Sequence, residues 1–103
     1  MRTLTTWSVA DYQHMREIGI LDRRRCELIQ GEIWDRAPEG EFHRFINDQG
    51  ADYLRRVLQD KAKLFEAHPI TLAASEPQPD IAIVRLPNTR YLKHPPYPVD
   101  IYW

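Results

Sequence analysis

Ser75-Glu76-Pro77-Gln78-Pro79-Asp80-Ile81-Ala82-Ile83-Val84-Arg85 is the stretch on which the reading of the fold turns. Its two prolines fix φ and remove two amide donors, so residues 75–79 form a stiff polar lead-in that does not sit inside a sheet. The residue before each proline is pushed towards extended geometry. Ile81 to Val84 then give a short unbroken apolar run, the pattern of a strand covered on both faces. Asp80 stands at the mouth of that strand, near residues 80–85. A carboxylate there is either a cap on the strand entrance or a metal ligand.

On the upstream side, Lys63-Leu64-Phe65-Glu66-Ala67 predicts a strand near 62–67, closed by His68-Pro69. Downstream, Leu86 to Pro98 is an irregular stretch holding four prolines. Loops of this length in small domains are functional or disordered more often than not. Val99-Asp100-Ile101-Tyr102-Trp103 follows as an apolar, β-prone run with no turn after it, read as a strand cut short.

Further upstream, Phe42, Phe45, Ile46, Gln49, Tyr53, Leu54 and Val57 recur at three- and four-residue steps, which predicts an amphipathic helix near 41–58. Gly50 inside it costs about 1 kcal/mol against Ala and points to close packing on a neighbour. His43 lies in its first turn, as a hydrogen-bonded residue or a ligand. Before this helix, Cys26 to Asp35 reads as a β-hairpin with strands near 26–29 and 32–36 and a Gln30-Gly31 turn. That register puts Cys26, Leu28 and Ile33 on a core face and Glu27, Ile29, Glu32 and Trp34 on the other. Glu27 and Glu32, diagonal neighbours, either help to hold a divalent cation or stand as solvated edge residues. Asp22-Arg23-Arg24-Arg25 is a charged linker, open to a solvated or a phosphate-contacting reading. The first helix, near 9–18, starts at a Ser8/Asp11 capping pattern and stops at Gly19, with Val9, Tyr12, Met15 and Ile18 on one face.

The 103 residues are the length of one domain, with 43% hydrophobic and 28% charged content, ordinary for a globular protein. A net charge of −1 supplies no global basic field for nucleic acid. The single cysteine excludes an intrachain disulfide and fits a reducing compartment. No apolar run approaches the ~18 residues of a membrane span, and no signal segment opens the chain, so a cytoplasmic location is expected.

Helix, hairpin, helix, strand, strand, long loop and strand make an α+β order, expected on one mixed sheet flanked by helices. Within it, three segments and the opening helix ending in Gly19-Ile20-Leu21 resemble the restriction endonuclease domain family of the PD-(D/E)XK nuclease superfamily. The segments are Cys26-Glu27-Leu28-Ile29-Gln30-Gly31-Glu32-Ile33, Pro38…Gly40…His43 and Pro77-Gln78-Pro79-Asp80-Ile81-Ala82. The resemblance covers essentially the whole chain. It implies a Mg²⁺-dependent endonuclease-like site acting on DNA, in which an Asp begins one strand and an acidic-x-Lys motif lies on the next. The acids hold the metal and the Lys sits near the attacking water, because phosphodiester hydrolysis needs a Lewis acid and an activated water in line. Asp80 and Glu27 match metal-holding acids, and His43 matches a histidine at the start of the second helix. These three are the implied catalytic set; Asp80 and Glu27 are expected to share one polar pocket, their carboxylates within about 8 Å of each other, with His43 and Glu32 at its rim.

One departure from the pattern matters. No acid-x-Lys pair follows Asp80 in these residues, and Lys93 has Tyr91 two positions before it. The chain is therefore expected to be the N-terminal half of such a domain, residues 1–103 forming one partial unit that does not cleave DNA alone. The other reading is a small non-catalytic binding module that reuses the fold. Ile81, Ile83, Ile101 and Trp103 are expected to form an exposed apolar patch, a route to homo-oligomers through exposed strands.

Overall fold

The computed structural model describes residues 1–103. In chain order the elements are α1 (Val9–Glu17), β1 (Cys26–Ile29), β2 (Glu32–Asp35), α2 (Glu41–Leu58), β3 (Lys63–Glu66) and β4 (Ile81–Val84). Two 3₁₀ turns follow at Asn88–Tyr91 and Pro98–Asp100.

α1 begins at a closed capping box. The Asp11 N–H donates to Ser8 Oγ at 3.0 Å and the Ser8 N–H donates to Asp11 Oδ2 at 3.2 Å, so two otherwise orphaned donors are satisfied. It ends in a Schellman motif: Gly19, at φ +84°, donates to Arg16 O, and Ile20 donates to Met15 O. Tyr12 is fully buried and its hydroxyl donates to Cys26 O at 3.2 Å, which fastens α1 to the hairpin. Ile18, expected on the inner face, is exposed because it lies past the last helical turn.

The hairpin has the register read from the sequence, with Ile29 opposite Glu32, Leu28 opposite Ile33, Glu27 opposite Trp34 and Cys26 opposite Asp35. Gln30 and Gly31 both take positive φ, 49° and 81°, the backbone of a type I′ turn whose twist matches the strands. A side chain at Gly31 would place its Cβ 2.9 Å from Thr6 Cβ, so glycine serves both the turn and the approach of the N-terminal segment.

The α+β class stands, but the single mixed sheet is divided. β1 pairs with β2 and β3 with β4, both antiparallel. The lead-in before β4 also departs from expectation, since Glu76 forms a bridge with Leu28, exchanging bonds of 2.8 and 3.3 Å. Glu76 keeps its N–H and can pair, whereas Pro77 has no donor and ends the pairing after one residue. The terminal segment likewise makes a bridge, Val84 to Ile101, with Tyr102 and Trp103 bonded to Ile83. Asp100, 2% exposed, orders the loop before it by accepting from Arg90 Nη2 at 2.8 Å, Arg90 Nε at 3.2 Å and the Tyr97 N–H at 3.0 Å.

α2 packs chiefly on β3, along a face running through Asn47, Ala51, Leu54 and Leu58. Most of the wider apolar stripe read from the sequence, Phe42, Phe45, Ile46, Tyr53 and Val57, faces outward. Nothing lies within 4 Å of a Cβ built on Gly50, so the close packing expected there is not present. The buried apolar core is correspondingly small: Tyr12, Cys26, Leu28, Ala51, Leu64, Ala82 and Val84. Of the patch expected around β4, Ile81, Ile83 and Ile101 are half-buried and Trp103 is exposed.

Candidate active site

The proline lead-in delivers Asp80 to the start of β4, where its carbonyl accepts from the Ala67 N–H at 3.1 Å. Its side chain, 44% exposed, faces the first turn of α2, and Asp80 Oδ2 lies 3.3 Å from His43 Nε2. Glu39, just before the helix, brings Oε1 to 4.0 Å from the same nitrogen. One ligand-capable atom from each of Glu39, His43 and Asp80 lies within 4.8 Å of the others. His43 and Asp80 are thus brought together. Glu39 was not anticipated; it sits in the Pro38-Glu39-Gly40 break, just before the Gly40 N-cap, and its only signal is its nearness to His43 in the chain.

Glu27 stands on the same edge but outside that group. Its Oε1 accepts from the Gln78 N–H at 3.1 Å, which ties the hairpin to the lead-in. Arg36, whose side chain is only 12% exposed, lies between Glu27 and Asp80, with Nε 3.8 Å from Glu27 Oε2 and Nη2 4.0 Å from Asp80 Oδ1. Its Nη1 donates to Gln78 Oε1 at 2.9 Å. The two carboxylates therefore share a cation that the chain itself provides. Glu32 is not part of this edge; it lines a shallow apolar depression with Leu4, Trp7 and Trp34. Its partner is Ile29, two residues nearer the turn than Glu27, and that step carries it away from Asp80.

Two carboxylate oxygens and an imidazole nitrogen in this grouping fit a divalent cation. Carboxylates suit Mg²⁺, Ca²⁺ and Mn²⁺, and a neutral imidazole widens the choice to Zn²⁺. The site is open to water on one side, as Asp80 and His43 are both well exposed, so solvent can complete the coordination. Among nearby groups, Cys26 takes no part. It is buried, and burial first, with its contact to Asp35 Oδ1 at 3.7 Å second, pushes its thiol pKa up, away from the reactive thiolate.

Two helices and two small antiparallel sheets in one α+β chain are consistent with a restriction-endonuclease-like fold. The chain belongs to the Uma2 family, described as "Putative restriction endonuclease", whose profile matches residues 9–103. Comparison with curated proteins and with solved structures gives no match. No helix is long and apolar enough to cross a membrane.

Proposed function

We propose that residues 1–103 carry the carboxylate edge of a Mg²⁺-dependent endonuclease site whose substrate is DNA, and that alone they do not cleave it. The observation that carries this reading is the convergence of Asp80, His43 and Glu39 within 4.8 Å, in a chain of the restriction endonuclease family. A divalent ion held there would supply Lewis acidity and an acidified water for phosphodiester hydrolysis. Asp80 and Glu39 contribute carboxylate oxygens, and His43 contributes Nε2 in its neutral form. Arg36 orients Asp80 and Glu27 together, and Glu27 holds the lead-in through the Gln78 amide. The chain's own residues provide no acid-x-Lys pair after Asp80, so no lysine is placed to position a water, and positioning is a large part of such a rate.

The test is Mn²⁺ titration of the full chain followed by paramagnetic broadening of the His43 ring signals, with Mg²⁺ as competitor, beside a plasmid-nicking assay. Broadening that Mg²⁺ reverses and that Asp80→Asn and Glu39→Gln each weaken by about ten-fold is expected, with no nicking. Unchanged broadening in Asp80→Asn overturns the metal reading. Nicking that Asp80→Ala abolishes overturns the inactivity. One observation favours a second reading, a non-catalytic binding module: Arg36 already offsets part of the charge of Asp80 and Glu27. Under that reading Mn²⁺ leaves His43 unbroadened.

A further inference from the structure

The C-terminal end of α1, the linker after it and the end of β2 close around a hollow of about 380 Å³. Its lining includes four arginines, Arg16, Arg24, Arg25 and Arg36, and one acidic residue, Asp22. The chain as a whole carries −1, so this is a local concentration of positive charge that the composition conceals. Local structure brings it about. The Schellman turn at Gly19 reverses the chain after Arg16, and successive turn bonds, Asp22 N–H to Gly19 O and Arg24 N–H to Leu21 O, fold the linker back. The Arg36 N–H donates to Arg25 O at 2.6 Å, which pins the linker to the end of the hairpin.

The charges are unequally matched. Arg24 faces Asp35 at 3.9 Å, both well exposed, a pair worth little. Arg36 is shared by Glu27 and Asp80. Arg16 binds only a neutral partner, the Tyr12 hydroxyl at 3.2 Å, and Arg25 has no side-chain partner. Two arginines that make no ion pair thus stand beside two others. Guanidinium forks match the oxygens of a phosphate, and a volume at the lower end of ligand cavities admits a phosphate with its ester groups.

We propose that this hollow is a phosphate-binding site, with Arg16 and Arg25 as its principal donors. Arg36 is common to the hollow and to the Asp80 edge, so a phosphate held here lies beside the carboxylates. The source of the phosphate is a nucleic-acid backbone or a free phosphate ion; only the first rests on the endonuclease reading.

The experiment uses the full chain in EDTA, so that metal binding does not enter. In one arm, inorganic phosphate is titrated while arginine Nε–Hε signals are followed by NMR, against chloride at equal ionic strength. Saturable shifts of Arg16 and Arg25 with phosphate alone are expected. In the other arm, binding of a fluorescent duplex oligonucleotide is measured across NaCl concentrations for the wild type, for Arg16→Gln/Arg25→Gln and for the charge-matched control Arg56→Gln/Lys61→Gln. A nucleic-acid source gives an affinity loss of about ten-fold or more and a salt slope smaller by about two in the first variant, with the control close to wild type. If the phosphate shifts appear but the two variants bind DNA alike, the site stands and its ligand is free phosphate. If phosphate and chloride act alike on the wild-type signals, the proposal is overturned, whether or not the variants fold. Loss of Mn²⁺ binding in Asp80→Asn is a separate result and affects neither arm.

Discussion

Asp100→Asn is expected to destabilise the chain by about 2 kcal/mol at neutral pH. The Asp100 carboxylate is 2% exposed and accepts three hydrogen bonds, two from Arg90 and one from the Tyr97 amide. Bonds to a charged group contribute about 1.5–3 kcal/mol each, and Arg90 is part-exposed, so its share falls at or below the lower end of that range. Asn keeps one acceptor oxygen and turns an NH₂ towards a donor, which loses roughly one such bond and the charge. With a urea m-value of about 1–3 kcal/mol/M, the unfolding midpoint falls by about 1 M. The pH dependence gives a second readout. The Tyr97 N–H above all, with the Arg90 guanidinium, outweighs burial and holds the Asp100 carboxyl below its ordinary value of 3.8. A depressed native pKa means the stabilisation is fully present above the unfolded pKa, about 3.9, and is lost as pH falls through the native one. The gap between wild type and Asp100→Asn is therefore constant above about pH 5 and narrows below it. A midpoint shift under about 0.2 M, or a gap that widens on acidification, refutes the reasoning.

Three further outcomes follow from the packing. Glu76 is buried and accepts at Oε1 from Gln13 Nε2 at 2.7 Å and Thr71 Oγ1 at 2.8 Å; Glu76→Ala should cost about 2–3 kcal/mol in urea melts and Glu76→Gln about 1, and the reverse order defeats the account. Gly31→Ala places a side chain at φ +81° and against Thr6, so a loss of about 1–3 kcal/mol is expected, read as a thermal midpoint lower by about 5 °C or more. Cys26, buried and with its thiol pKa raised, should react with a disulfide reagent at pH 8 far more slowly than in urea, and equal rates would contradict its placement.

What was legible in the sequence was what local chemistry decides. The hairpin register follows from period-two alternation about Gln30-Gly31, and the start of α1 from Ser8 and Asp11. The helical period of α2 was legible too, but not which side of it is covered, because coverage depends on β3 and not on the helix. Asp80 was singled out by its position at the start of a strand, and His43, which the residues alone left open, by the family resemblance. Glu39 and Arg36 were not. Glu39 lies in a turn-forming tripeptide, where a carboxylate reads as solvated. The burial of Arg36 depends on Gln78 and Asp80, which the lead-in brings to it from a distant part of the chain. Glu76 was read as part of a stiff approach, yet its burial is decided by Gln13 on α1 and Thr71 before the lead-in.

The uncovered side of α2 bears directly on the candidate site, since His43 rides on that helix. Burying a side chain such as Phe or Ile contributes about 1.5–3 kcal/mol, and the exposed Phe42, Phe45, Ile46 and Val57 contribute little of that. The helix is instead seated through Ala51, Leu54 and Leu58 and through Arg55, whose Nη2 donates to Glu66 Oε2 at 2.8 Å on β3. Glu66 pairs with Ile81, the residue after Asp80, so the ion pair fixes the helix to the ladder that also carries the acid. His43 and Asp80 therefore meet because both are referred to the β3–β4 pair: one through a helix bound to β3, the other through the first residue of β4. The 3.3 Å approach between them is a property of that small sheet, and the exposed part of the apolar stripe of α2, Phe42, Phe45, Ile46, Tyr53 and Val57, takes no part in that seating.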